Sequence, residues 1–273
     1  YRTVGDEHRE AISLLNLSAV AEQRGEIGEA VDRAAAAREI SERIGSDMYE
    51  GFALSHLGSA AHLAGDLDRA ERFLTAALDL FDALDADARC AMTTAILTEV
   101  AIDRGDLTEA ERRAERTASL LDGHAGRKRL AELARIRGRL ALARGDPGAA
   151  ATALKSALES ARDGGFTQVE AQALASLGAA AAERGDAEEA ADRLTAALDL
   201  GRRIEDARTV AAAADLLADL LAGSAAGSDS FDRETLIEAL RRSPPEAVPA
   251  ESAAVPAAYR EIADRWRVDG DGV

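Results

Sequence analysis

Seven cationic residues crowd into the eighteen positions 127–144: Arg127, Lys128, Arg129, Arg135, Arg137, Arg139 and Arg144, opposed only by Glu132. The stretch carries a net +6 inside a chain whose formal charge is −17. Arg135 and Arg139 are four apart, so on a helix they are neighbours on one face. Two guanidiniums placed in this way can hold a carboxylate in bidentate fashion, from an acidic segment or a chain terminus. The competing reading is intramolecular. Glu99 and Asp103 can neutralise the same charges across adjacent helices, because ion pairs form readily in an acidic surface.

Other reactive residue types are sparse and poorly spaced. His56 and His62 are six apart, about 120° around a helix from each other once whole turns are removed, so they do not converge on a metal. Cys90, the one cysteine, has no histidine near it in sequence and sits in an Ala-rich stretch, where it reads as a small core residue. No Gly-rich phosphate loop and no dinucleotide fingerprint occurs. The tail VDGDGV (268–273) has the composition of a calcium loop, but neither its ligand spacing nor its closing Glu. The expectation is therefore a non-enzymatic chain with no catalytic residue, no cofactor and no metal.

The elements that must position these side chains follow from an internal repeat. Gly25, Gly65, Gly105, Gly145 and Gly185 stand 40 apart. Asp66, Asp106, Asp146 and Asp186 follow four of them, and Glu26 follows the first. Ala30, Ala70, Ala110, Ala150 and Ala190 come five residues after each glycine, and Ser18, Gly58, Thr98, Gly138 and Gly178 seven before. The heptapeptide LTAALDL occurs verbatim at 74–80 and 194–200. Glycine closes one helix by taking a positive φ, and the acidic residue opens the next as a cap. The small residues mark where two helices cross. A second turn near Gly5, Gly45, Asp85, Ala125, Gly165 and Glu205 makes each period two antiparallel helices of roughly 15–20 residues.

In the blocks LGSAAHLAGDLDRAERFLTAALDL (57–80) and LGAAAAERGDAEEAADRLTAALDL (177–200), the chain resembles the tetratricopeptide repeat family. The resemblance extends over about residues 7–205 and, more weakly, 206–242. It departs in its period of 40 instead of ~34. The proline after the second helix is absent, and Leu14, Leu54 and Leu174 replace first-helix aromatics. The resemblance implies an all-α fold, a right-handed α-solenoid of stacked antiparallel helix pairs.

The expected repeats are 6–45, 46–85, 86–125, 126–165 and 166–205, then a degenerate sixth at 206–242. Residues 1–5 align with the end of a second helix and read as the remnant of an upstream repeat, so the chain is expected to be part of a longer protein. A Pro-rich linker is expected at 243–256, and a capping helix and tail at 257–273.

The family's first helices line a concave groove. In that register the groove-facing candidates are Phe52, Ser55, Ser59 and His62, then Met92 and Glu99, then Glu132, Arg135 and Arg139, then Gln172. The family's peptide-carboxylate clamp is absent in its strict asparagine and lysine form. The negative charge argues against nucleic acid and anionic membranes, and no apolar run reaches the ~18 residues of a membrane span. It fits either a high-salt cytoplasm or a basic partner. The expected function is a cytoplasmic protein–protein interaction scaffold within a larger regulator or adaptor, taking a protein or peptide, with an acidic segment or C-terminal carboxylate as candidate. The alternative is the sensor or autoinhibitory arm of a multidomain signalling ATPase or transcription regulator.

Overall fold

Asp66, Asp106, Asp146 and Asp186 each accept a hydrogen bond from the backbone N–H three residues on, at 2.9–3.1 Å, and so open a helix. The computed structural model describes residues 6–121 and 126–224. The second turns at Gly5 and Ala125, and the helices and linker expected beyond 224, lie outside the described residues. The chain divides into two compact units, Tyr1–Gly126 and Arg127–Val273.

The first unit holds α1 (Glu7–Arg24), α2 (Ile27–Ile44), α3 (Asp47–Leu63), α4 (Leu67–Ala83), α5 (Asp87–Arg104) and α6 (Leu107–Leu121). They pack as the antiparallel pairs α1–α2, α3–α4 and α5–α6. Each second helix also packs on the next first helix, and the first helices touch in succession, α1 on α3 and α3 on α5. The three first helices therefore share one face of the unit. The second unit repeats the scheme with α7 (Arg127–Ala143), α8 (Pro147–Gly164), α9 (Thr167–Glu183), α10 (Ala187–Arg203) and α11 (Ala207–Ser224). The described residues hold helices and turns and no strand.

The crossing within each pair is fitted by size. Residues sixteen apart oppose each other, one on the first helix and one on the second. A Cβ built at Gly58 would lie 2.6 Å from Leu74 Cγ, at Gly138 2.4 Å from Leu154 Cγ, and at Gly178 2.5 Å from Leu194 Cγ. Where the first-helix residue is larger the opposing one is alanine: Ser18 with Ala34, Thr98 with Ala114. All of these side chains are buried. Threonine with alanine comes close in volume to glycine with leucine, as close packing demands, and serine with alanine is a smaller pair. The hydroxyls are satisfied, Ser18 donating to the Ala30 carbonyl at 2.9 Å and Thr98 to that of Thr94 at 2.8 Å. The leucine column on the first helices is buried at Leu57, Leu97, Leu177 and Leu217, whereas Leu17, in the same register on α1, is 47% exposed and Arg137 is exposed.

At the second turn, Asp85 (φ 50) and Glu205 (φ 55) take the left-handed conformation that Gly45 (φ 65) and Gly165 (φ 67) take elsewhere. A side chain there costs about 1 kcal/mol, partly offset when glycine loosens the unfolded chain. Asp85→Gly is expected to raise stability by about 0.5 kcal/mol, read as a higher urea midpoint.

Candidate functional site

The shared face of α1, α3 and α5 is not flat. It holds a cleft of about 370 Å³, within the range of small-ligand and side-chain pockets. Three residues 40 apart, Ile12, Phe52 and Met92, line it, together with Ile96 and the buried Phe81. Phe52 leans on Phe81 at 5.5 Å between ring centroids. Gly51 makes room for this, since a Cβ there would meet Phe81 Cε1 at 2.7 Å. Phe52, Ser55, Ser59 and Met92, expected on this face from the register, all line the cleft.

His62 and Glu99 lie elsewhere. His62 is 7% exposed and pairs through Nε2 with Asp103 Oδ2 of α5 at 2.6 Å. Glu99 is 5% exposed and does not line the cleft. His56 does line it, its Nδ1 2.5 Å from Glu22 Oε1 on α1. The two histidines of α3 thus tie it to both neighbouring first helices, one on each side. Ser55 and Thr93 hydroxyls meet across α3 and α5 at 3.4 Å.

Register reasoning passed over Asn16, Tyr49, His56, Arg89, Thr93 and Ile96, all of which line the cleft. Forty-residue translation links Asn16, His56 and Ile96, and would have found those three once one was placed. The same translation links Tyr49 to Arg89, and it gives the position without the chemistry.

Ion pairs elsewhere in this unit are structural. Glu71 of α4 receives Arg113 at 2.6 Å and also Arg104, whose Nη2 reaches Asp68 at 2.8 Å. Arg113, then Arg104, draw the Glu71 carboxyl below its ordinary range. Arg112 and Arg113 hold Glu109 down at about 2. Burial pushes the Cys90 thiol up to about 12, helped by its hydrogen bond to Asp82 at 3.2 Å, so it is an inert core residue.

In the second unit, Arg135 is 8% exposed and Arg139 half-buried. Glu132 is held by Arg129 at 2.7 Å and Lys128 at 4.0 Å. Gln172 donates to Asp206 Oδ2 at 3.4 Å, bracing the carboxylate that also takes the Thr209 N–H and hydroxyl at the start of α11. The Arg135–Arg139 register recurs two repeats on as Asp215 and Asp219. Among the described residues no group of His, Cys, Asp and Glu could hold a metal, and no helix is long and apolar enough to cross a membrane.

Residues 9–83, which build α1 to α4, match the tetratricopeptide repeat family. Those residues carry tetratricopeptide repeats. No curated protein sequence matches it. Among solved structures, it is similar to a Rap protein complexed with competence and sporulation factor, at 14% identity and a TM-score of 0.66, over 95% of this chain and 75% of that one. It is similar to RapI in its apo form at 12% identity and a TM-score of 0.57, over 96% and 100%. A signal transduction ATPase with numerous domains and a tetratricopeptide repeat sensor, from Pyrococcus horikoshii, aligns at 16% identity and a TM-score of 0.57, over 95% of this chain but 39% of that one. At these identities the likeness is one of fold, that of helical-repeat solenoids.

Proposed function

We propose that this tetratricopeptide array is a cytoplasmic interaction scaffold that holds a protein or peptide on its first-helix face, binding without catalysis. The cleft on α1, α3 and α5 carries the reading: an aromatic and aliphatic floor with hydroxyl, amide and imidazole groups at its edge. Such a surface takes an apolar side chain and hydrogen-bonds the backbone beside it. The likeness to a Rap protein complexed with a factor supports a protein or peptide occupant. Arg135 and Arg139 are a second proposed contact for an acidic segment or terminal carboxylate, on the other unit.

The test is a phage-displayed random peptide library panned on the full chain, with affinities of the selected peptides measured by calorimetry. Ser59 lines the cleft half-buried, so Ser59→Trp fills it without touching the core. We expect about a tenfold weaker Kd, roughly 1.4 kcal/mol, with the helical circular dichroism unchanged. No enrichment, or peptides indifferent to Ser59→Trp, would overturn the assignment.

The likeness to the sensor-bearing ATPase supports a second reading, in which the array is the sensor or autoinhibitory arm of a multidomain signalling ATPase or transcription regulator. The occupant of the cleft would then be a ligand or a segment of the same protein's effector domain.

A further inference from the structure

The chemistry at the cleft's edge narrows the occupant. We propose that it is an acidic peptide, and that Arg89 is the residue that reads its acid. This rests on the cleft being a peptide site, and deepens that reading.

Arg89 is the one arginine or lysine lining the cleft. It stands in the first turn of α5, exposed, with its guanidinium carbon 4.7 Å from the centre of the Phe52 ring and Nη1 3.5 Å from Met92 Sδ. Among the described residues it forms no ion pair, although Asp85 and Asp87 are close by in sequence. Its neighbours in the unit behave differently: Arg104, Arg113 and Arg116 each hold a carboxylate. An arginine held over an aromatic ring loses little freedom when a carboxylate arrives, and Arg89 keeps donors beyond the one on Met92 for it. Charge-assisted, bidentate pairing is the strong form of that contact.

The rest of the cleft agrees. Its one carboxylate, Glu22, is held by a hydrogen bond with His56 on the α1 side, away from the helix that carries Arg89. Asn16 and Ser59 spend no side-chain hydrogen bond within the described protein, which leaves an amide and a hydroxyl for the occupant's main chain. These groups sit on α1, α3 and α5. With neighbouring helix axes about 10 Å apart, the span from α1 to α5 is about 20 Å, or about six extended residues. The occupant is thus an extended segment with an Asp or Glu side chain at Arg89 and a large apolar side chain over Phe52.

The experiment uses a synthetic library of N-acetylated, C-amidated hexapeptides, whose blocked ends remove terminal charges. It is captured on the full chain and on the Arg89→Gln and Ser59→Trp variants, and read by mass spectrometry. We expect wild type to enrich peptides with one acid and one aromatic or large aliphatic residue. For an enriched peptide, Glu→Gln in the peptide and Arg89→Gln in the protein should each weaken Kd about tenfold, and the two together little more than either alone. Peptides that bind, respond to Ser59→Trp, and show neither an acid preference nor sensitivity to Arg89→Gln would overturn this inference and leave the scaffold intact. If no hexapeptide binds, the peptide-site reading falls and takes this inference with it.

Discussion

A Gly178→Thr chain will lose about 3 kcal/mol of stability, and adding Leu194→Ala will not double that loss. Helix propensity alone predicts a gain, since glycine is the poorest helix former after proline. Packing decides otherwise. A Cβ at residue 178 would come within 2.5 Å of Leu194 Cγ and 3.3 Å of the Ala190 carbonyl, and Leu194 is 0% exposed. Leu194→Ala alone leaves a cavity and costs about 3 kcal/mol. Additivity would put the double variant near 6 kcal/mol down, but the threonine side chain occupies the volume the leucine vacated. The protein already builds this arrangement in Thr98 with Ala114. We expect the double variant about 3–4 kcal/mol below wild type, a coupling of about 2 kcal/mol. Urea melts of the four chains read it directly, and losses that simply add would show that the opposed sizes are not matched to each other.

This pairing marks what the sequence could and could not say. The 40-residue period, the Gly–Asp turns and the helix pairs follow from local rules: a residue that takes positive φ, a side-chain cap, and apolar spacing of three and four. Asp85 and Glu205 keep the turn conformation without glycine, so the period still located those turns. The first-helix register also puts Phe52, Ser55, Ser59 and Met92 on one face, because a helix fixes the angle between them, and all four line the cleft. His62 is about 80° round from Phe52 and beyond the cleft, turned to Asp103 on α5. Nothing local reveals that partner, which is 41 residues away. Arg89 was illegible for a related reason. Its meaning depends on a ring 37 positions earlier, and on its forming no ion pair among the described residues of a chain full of acids. The cationic stretch of α7 was conspicuous in sequence, yet Arg135 proves to be mostly enclosed, which makes it a weaker candidate for a mobile partner than an exposed arginine over an aromatic ring.

The last expected result concerns a residue that the sequence left anonymous. Asp215 of α11 falls in the first-helix register of Ser55 and Arg135, one turn before Asp219. Its Oδ1 is buried without a hydrogen-bond partner among the described residues. Burial first, and then the Asp219 charge, push its pKa up to about 7. The unfolded chain holds the same group near its ordinary value of about 3.9. Between these two values the folded state keeps a proton that the unfolded state has released. Stability therefore falls as pH rises from about 4 to about 7, and levels off above that. Three pK units set a ceiling of about 4 kcal/mol, and partial solvent access reduces it to roughly 2 kcal/mol. Asp215→Asn keeps the shape and cannot ionise. It should match wild type within about 0.5 kcal/mol at pH 4 and exceed it by about 2 kcal/mol at pH 8. Comparing the two chains by urea midpoint at each pH cancels every other titrating group. A gap of the same size at both pH values would mean that Asp215 ionises like a surface carboxylate, and that α11 does not enclose it.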